Sequence, residues 1–160
     1  MEFDPTQYSL RSASPSDAEM IARHRALMFL DMVTLSEEEA EQLFTSSVPW
    51  FNRLLATREY LGWLALWQGE VVSGGGIHLR EMGPIPGCPR LGRWGHIANV
   101  YTAPTHRRRG LARLLMKTIL EWSDINQLDR LTLTASEDGT PLYEALGFTF
   151  TADMHLAARP

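Results

Sequence analysis

The chain has 160 residues, of which 44% are hydrophobic and 21% charged, and its net charge is −4. This composition is typical of a globular protein, and we expect one domain, residues 1–160, that buries about two-thirds of its unfolded surface. The negative charge disfavours nucleic acid as a partner. No apolar run approaches the roughly 18 residues of a membrane span, and the acidic, polar N-terminus does not resemble a signal peptide. The single cysteine excludes an internal disulfide and favours the reducing cytoplasm.

The first third of the chain predicts one strand and two helices. Residues 8–12 alternate between polar and apolar side chains, as a strand does. Residues 14–32 open on Ser-Pro-Ser-Asp, a helix start, and continue as a helix whose apolar face is rich in methionine. A capping box, Ser-Glu-Glu-Glu, opens a second helix over residues 36–55, which Pro49 could break.

The middle of the chain predicts a β-hairpin and an irregular loop. Residues 60–68 and 70–80 form the two strands, joined by a short turn. Three glycines, residues 74–76, interrupt the second strand and indicate a bulge or the close approach of another backbone or a ligand. Residues 82–93 are rich in proline and glycine and predict a loop with Cys88 at its tip. Because no histidine stands at a suitable spacing, we interpret this cysteine as an incidental thiol rather than a nucleophile.

Two further strands and a helix complete the predicted fold. Residues 94–102 and 131–135 are the strands, and the helix between them shows apolar residues at steps of three and four from Leu111 to Trp122. A right-handed crossover through that helix makes the two strands parallel neighbours. Residues 149–158 predict one or two closing strands. The order β-α-α-β-β-β-α-β-α-β predicts an α+β fold, a mixed and mainly antiparallel sheet with helices on both faces.

A basic loop joins the central strand to this helix, and it consists of Arg107, Arg108, Arg109, Gly110, Leu111 and Ala112. The N–H groups that open a helix lack intrahelical partners, and the helix dipole adds about half a positive charge there. Gly110 lets a ligand approach the backbone, so the loop suits a phosphate or pyrophosphate. It lacks the Lys-Ser/Thr of a P-loop and the spacing of a dinucleotide fingerprint, which makes ATP and NAD poor candidates. Taken alone, the arginines could form a solvated basic turn or a nucleic-acid patch.

Two motifs connect the chain to a known family. Arg107-x-x-Gly110-x-Ala112, after a strand, resembles the Q/R-x-x-G-x-G/A acetyl-CoA loop of the GNAT N-acetyltransferase superfamily. Residues 131–148, LTLTASEDGTPLYEALGF, are similar to the last core strand, the helix and the L-Y-x-x-L-G-F ending of that family. The two matches cover about the C-terminal half of the chain, and the N-terminal half has no diagnostic motif. The resemblance implies a single GNAT-type domain that transfers an acetyl group from acetyl-CoA to an amine, with no metal.

The resemblance also implies where the coenzyme binds. The loop of residues 107–112 would hold the pyrophosphate, and the two parallel strands would splay apart to admit the pantetheine arm. Three residues of the central strand would pair with the arm as a missing strand would: Val100, Tyr101 and Thr102. Ser136 stands where many members carry an asparagine that contacts the arm, and its hydroxyl has a shorter reach. Tyr143 would act as the acid beside the coenzyme sulfur, and packing against the sheet is the alternative explanation for this tyrosine.

The base is expected at His96. In several members of the family a glutamate at the start of the central strand removes the amine proton, and matching through Pro104 and Arg107 puts His96 at its place. An unperturbed imidazole pKa of about 6.5 suits a base at neutral pH. In the alternative, His96 is an ordinary half-buried strand residue and the proton leaves through water, with Glu81 or Asp31 nearby.

The acceptor is the open part of this interpretation. Amino acid, polyamine, antibiotic, peptide N-terminus and lysine side chain all fit, because recognition loops vary independently of the core. Four residues of the two N-terminal helices could line the acceptor cleft of the resembled fold or simply pack in the core: Met28, Phe29, Met32 and Trp50. A non-catalytic acyl-CoA sensor would keep the Arg107 loop without needing Tyr143. The interpretation includes no nucleic acid and no membrane as partner, and it is compatible with a homodimer.

Overall fold

The protein is built on one five-stranded sheet. It is described by a computed structural model over residues 4–33, 35–88, 90 and 92–159. The strands, which lie side by side in chain order, are β1 (Tyr8–Ser12), β2 (Tyr60–Trp67), β3 (Glu70–Glu81), β4 (Arg93–Thr102) and β5 (Arg130–Leu133). The helices are α1 (Ala18–Met32), α2 (Glu37–Thr57), α3 (Leu111–Ile125) and α4 (Thr140–Ala145). Strands β1 to β4 pair antiparallel and β4 pairs β5 parallel, which confirms the predicted mixed α+β sheet.

Helices cover both faces of the sheet, as the sequence predicts. Phe51 of α2 packs with Tyr60 of β2 in the cluster between the sheet and helices α1 and α2. On the other face, Leu115 and Ile119 of α3 pack against Ile77 in a second cluster. Each such fully buried side chain stabilises the fold by about 1.5–3 kcal/mol. None of the helices in the described ranges is both long and apolar enough to cross a membrane.

Helix α2 begins at the predicted capping box and is not broken by its proline. The Ser36 hydroxyl accepts a hydrogen bond from the Glu39 N–H at 3.1 Å, and the Glu39 carboxylate accepts from the Ser36 N–H at 2.7 Å. Pro49 lies inside the helix on its exposed side. The buried Phe51 and Leu55 follow it and hold the last turns against the sheet, which offsets the hydrogen bond that proline cannot make.

The glycine run in β3 combines a bulge with a close contact. The register between β3 and β4 shifts between Gly74 and Gly76, which confirms the predicted irregularity. The ring of Tyr60 lies directly on Gly76, so a Cβ there would come within 2.2 Å of the phenol oxygen and 2.5 Å of the Leu61 carbonyl oxygen. The absence of a side chain therefore lets the buried tyrosine lie flat on the strand.

We expect Gly76→Ala to destabilise the protein, because a methyl group would overlap the Tyr60 ring and neither side can move freely. Overpacking of this kind costs about 1–3 kcal/mol. Gly75→Ala is the matched control, since its Cβ would have no neighbour nearer than the Val100 side chain at 3.3 Å. Urea unfolding of the two variants measures the difference, and equal loss of stability in both would contradict this account of the glycine run.

Strand β5 accompanies only the first half of β4. The parallel pairing runs from Trp94 opposite Arg130 to Ile97 opposite Leu133, where β5 ends, two residues earlier than expected. Strand β4 continues to Thr102 without β5 beside it. The predicted parallel neighbours are confirmed, and the second half of β4 has an edge that no strand occupies within the described part of the chain.

The prediction of closing strands over residues 149–158 is wrong. The structure has no strand in residues 149–159, and Phe150, Met154 and Leu156 are 76%, 97% and 85% exposed. Apolar residues do alternate in this segment, but a strand also needs the edge of a neighbour to pair with. The segment pairs with none of the described strands, although β1 and β5 each lie at an edge of the sheet.

Cys88 is buried rather than exposed at the tip of its loop. Its N–H donates to the Ile85 carbonyl at 3.0 Å, and the two residues form an isolated β-bridge. A nucleophilic cysteine needs access to its substrate and a group that lowers the thiol pKa. The burial of this thiol favours the interpretation of Cys88 as an incidental residue.

Candidate active site

The loop between β4 and α3 presents unpaired backbone N–H groups. Arg108 and Gly110 have left-handed backbones, with φ of +61° and +76°. Residues in such alternating conformations form a concave run of N–H donors that binds anions. Within the described chain, nothing accepts a hydrogen bond from the N–H groups of residues 108–112, and the first paired one belongs to Leu114, which donates to the Gly110 carbonyl at 3.0 Å. The donors at the start of α3 are therefore available to a ligand.

Two arginines of the loop have protein partners. Arg107 donates from Nε to the Thr102 carbonyl at 2.9 Å and forms an ion pair with Asp31 at the end of α1. Arg109 donates to the Tyr8 hydroxyl on β1 at 3.2 Å. These bonds connect the loop to the end of β4, to helix α1 and to strand β1. In this conformation the backbone, more than the arginine side chains, provides the anion-binding donors.

The free edge of β4 comes shortly before this loop in the sequence. Val100, Tyr101 and Thr102 lie beyond the last pair with β5. The Tyr101 carbonyl accepts from the Ser73 hydroxyl at 2.8 Å, and the Thr102 carbonyl accepts from Arg107. The Tyr101 carbonyl thus faces β3 rather than the free edge, and the Thr102 carbonyl can pair with a coenzyme only through its second lone pair or after Arg107 moves. The hypothesis that the coenzyme arm pairs with β4 as a missing strand would therefore depends on the other polar groups of this edge.

A left-handed residue marks the point where β4 separates from β5. Asn99 has φ of +59° and is buried. Its side-chain oxygen accepts from Arg25 on α1 at 2.9 Å, and its amide nitrogen donates to the Tyr60 hydroxyl at 3.4 Å. Asparagine tolerates this backbone region better than most residues, and these side-chain bonds hold it there. Asn99 therefore forms a bulge in β4, at the register shift between β3 and β4, and this bulge connects the sheet to α1 at the start of the free edge.

His96 lies on the half of β4 that β5 still accompanies. Its Nδ1 is 2.8 Å from the Thr132 hydroxyl, and its cross-strand neighbour on β3 is His78. Burial, helped by the charge of Arg80, lowers the pKa of His96 below its usual 6.5, so the imidazole is neutral at pH 7. When Nδ1–H donates to Thr132, the lone pair of Nε2 is free to accept a proton.

Neither carboxylate considered as an alternative base forms a hydrogen bond or an ion pair with this histidine in the described chain. Asp31 is ion-paired with Arg107. Glu81 lies at the exposed end of β3, where strand alternation puts it on the face opposite to His78. In the described part of the chain, no group of three or more histidine, cysteine, aspartate or glutamate side chains could hold a metal ion.

Tyr143 lies on α4 and packs against the cluster on the α3 side of the sheet. Its ring meets that of Phe148 edge to face, with the centroids 6.2 Å apart. Its hydroxyl has no hydrogen-bond partner among the described residues and is not fully buried. Burial of the ring raises its pKa above 10.0, which keeps the phenol protonated at neutral pH. His96 lies on the opposite face, so the two candidates would act on different sides of the β4 edge.

Ser136 forms the turn that leads into α4. Its hydroxyl accepts from the Gly139 N–H at 3.1 Å, and its carbonyl accepts from the Thr140 hydroxyl at 2.8 Å. The Ser136 hydroxyl still has its own proton to donate. The turn sets the start of the helix that carries Tyr143.

Sequence reasoning missed the residue that connects α1 to the bulge. The guanidinium of Arg25 lies 5.1 Å from the ring centre of Phe29 and 5.3 Å from that of Trp50, two of the residues assigned to the acceptor cleft. Trp50 also stacks on His78 at 5.4 Å. Met28 is half-buried, whereas Met32 is exposed at the end of α1. A signal was present, because Arg25 stands four residues before Phe29 in the apolar stripe of a helix.

Comparison with known proteins identifies the class. The model of the Acetyltransferase (GNAT) family matches residues 24–148. A GCN5-related N-acetyltransferase from Ralstonia eutropha JMP134 is 28% identical with a TM-score of 0.87, over 94% of this chain and 98% of that one. A "predicted acetyltransferase" from Clostridium acetobutylicum, solved with acetyl-CoA, is 23% identical with a TM-score of 0.82, over 94% and 96% of the chains. An aminoglycoside acetyltransferase from an uncultured soil metagenomic sample is 20% identical with a TM-score of 0.73, over 96% and 98%. No curated protein matches the sequence.

The sheet with its parallel β4–β5 pair is therefore an acetyltransferase fold. The family model spans most of the sequence, from α1 to the residues after α4. The chain belongs to the acetyltransferase (GNAT) family. Acetyl transfer is the general activity that the family and its structural neighbours support.

Proposed function

We propose that this protein is an acetyl-CoA-dependent N-acetyltransferase that transfers the acetyl group directly to a primary amine. The observation that carries the proposal is the set of unpaired N–H groups of residues 108–112, next to the free edge of β4. An anion-binding helix start and an unoccupied strand edge together match the two ends of a long ligand, a pyrophosphate and an amide-containing arm.

The reaction makes three demands on the protein. A neutral amine attacks the thioester carbonyl, an oxyanion forms, and the coenzyme leaves as a thiolate. The protein must orient both substrates, accept a proton from the amine, and stabilise the charges that develop on oxygen and sulfur.

The coenzyme is proposed to lie along β4 and the start of α3. The N–H groups of residues 108–112 donate to the pyrophosphate, and the polar groups of Val100, Tyr101 and Thr102 pair with the pantetheine arm. Arg107 holds the loop in position through its ion pair with Asp31. The Ser136 hydroxyl can donate a hydrogen bond to the arm. A structural neighbour solved with acetyl-CoA supports this choice of co-substrate.

Tyr143 and His96 are the proposed catalytic residues. The protonated phenol of Tyr143 donates a hydrogen bond to the departing sulfur. The neutral imidazole of His96 accepts the amine proton, directly or through water. No step of this mechanism needs a metal. We place the protein in the cytoplasm, in line with its single cysteine.

Gly110→Val is expected to weaken acetyl-CoA binding at least tenfold. A valine residue does not readily adopt the left-handed backbone conformation of Gly110. Its branched side chain would also shield the N–H groups that face the pyrophosphate. Each charge-assisted hydrogen bond contributes about 1.5–3 kcal/mol, so the loss of one accounts for that factor. Calorimetric titration with acetyl-CoA measures the effect.

Gly69→Val is the matched control, since Gly69 also has a positive φ, +85°, but lies in the β2–β3 turn with nothing near its Cβ position. Arg107→Ala is expected to weaken binding less than Gly110→Val, because it leaves the backbone donors in place. Unchanged affinity in a folded Gly110→Val protein would remove the pyrophosphate from this loop. A non-catalytic acyl-CoA sensor would share the binding result but would not turn over acetyl-CoA with any amine.

A further inference from the structure

Within the described chain, the half-buried Arg25 has no carboxylate counter-ion. Arg25 lies on the sheet face that α1 and α2 cover, between the rings of Phe29 and Trp50. Its Nη1 donates to the side-chain oxygen of Asn99 at 2.9 Å. Within the described chain, this is the hydrogen bond that the guanidinium makes, and no carboxylate lies within ion-pair distance of it. The remaining N–H groups of the fork lack a protein acceptor.

Two other arginines that contact α1 or belong to it have carboxylate partners. Arg23, two residues earlier on α1, pairs with Glu41 and lies over the ring of Phe44. Arg107 pairs with Asp31, the last acidic residue of the same helix. A partly buried cation without an anion is costly, because one neutral hydrogen bond and two ring contacts replace only part of the water it has lost. Guanidinium stays charged even so. Arg25 is therefore suited to an anion that comes from outside the chain.

The position of Arg25 relates this anion to the reaction. Its partner Asn99 directly precedes Val100, the first residue of the β4 edge assigned to the coenzyme arm. His78 stacks on Trp50 on the same face, and the pKa of His78 is lowered to about 4 by burial and by neighbouring positive charges, so it is neutral. The charged side chains that act on His78 from this face are thus the cations Arg25 and Arg80. Such a surface attracts an anionic group and repels a polycation.

We infer that Arg25 selects an acceptor that carries an anionic group in the same small molecule as its reacting amine. A carboxylate or a phosphate meets the guanidinium fork in two parallel hydrogen bonds. The substrate class is therefore an amino acid or a phosphorylated amino compound, and polyamines and aminoglycosides are excluded. This inference rests on the proposed N-acetyltransferase function and names its acceptor.

The experiment compares acceptors that differ only in the anion. The common α-amino acids are tested beside their amides, and glucosamine 6-phosphate beside glucosamine, with spermidine as the cationic amine. In the wild type, kcat/KM for one anionic class is expected to exceed that of its neutral counterpart at least tenfold, an effect in the range of one charged hydrogen bond. Arg25→Gln removes that preference mainly by raising KM, and Arg25→Lys retains part of it. Arg23→Gln is the matched control on the same helix and leaves the preference intact.

A binding measurement separates this inference from the proposed function. The N-acetylated forms of the same compounds are titrated by calorimetry into protein saturated with CoA, for the wild type and Arg25→Gln. Acetylation of amines without preference for an anion overturns the inference and leaves the function standing. Binding of an anionic product that depends on Arg25, without turnover of any amine, leaves the anion site standing and removes the function. If the protein shows no preference for anionic acceptors and no binding that depends on Arg25, the inference is overturned. The melting temperature of each variant and the retained charge of Arg25→Lys distinguish a lost site from a lost fold.

Discussion

Tyr143→Phe is expected to lower kcat about 100-fold, within the range of general acid catalysis, while the fold and the affinity for acetyl-CoA are preserved. The substitution removes one hydroxyl and almost no volume. That hydroxyl has no partner in the described chain, so its loss leaves no protein group unsatisfied. Steady-state kinetics with one fixed acceptor, together with calorimetric titration of acetyl-CoA, separates the effect on the chemical step from the effect on binding.

The dependence of this loss of kcat on the thiol leaving group identifies the departure of the thiolate as the step that Tyr143 assists. A more acidic thiol leaves without help, so the fall in kcat is expected to be smaller for a thioester of such a thiol. Phe148→Leu is the packing control, because Phe148 touches the Tyr143 ring and has no hydroxyl. Full activity in Tyr143→Phe would make this tyrosine a packing residue. An equal loss in Phe148→Leu would assign the effect to the position of the ring rather than to its proton.

The parts of the fold that the sequence predicts are those determined by local signals. The apolar period of α3 and the glycine directly before it appear in the residue pattern itself. The capping box of α2 does as well, because both of its hydrogen bonds join residues three positions apart. In each case neighbours along the chain settle the geometry.

The parts that the sequence does not predict depend on distant partners. The alternation in residues 149–158 has the period of a strand, but it carries no information about whether an edge is free to pair with it. The left-handed Asn99 depends on the register between β3 and β4, and its bond to Arg25 joins residues 74 positions apart. The same holds for the candidate site, where the unpaired state of Arg25 is visible only after all carboxylates near it are known.

His96→Ala is expected to lower kcat/KM about 100-fold or more and to remove the acidic limb of its pH profile. A base must be deprotonated, so activity is lost as the pH falls through the pKa of His96. Because burial and the charge of Arg80 lower that pKa, the midpoint of the wild-type limb lies below 6.5. The profile is measured for the wild type and the variant with one fixed acceptor over the range in which the fold is intact.

Two further variants make the interpretation of this profile specific. Thr132→Val removes the hydroxyl that lies 2.8 Å from Nδ1, and we expect a smaller loss of rate, because the ring keeps its basic nitrogen but loses the bond that orients it. His155→Ala removes an exposed histidine of the C-terminal segment and leaves both rate and limb unchanged. If His96→Ala keeps its limb and its rate, the imidazole is part of the scaffold. The amine then loses its proton to water, because Asp31 is bound to Arg107 and Glu81 lies on the other face of β3.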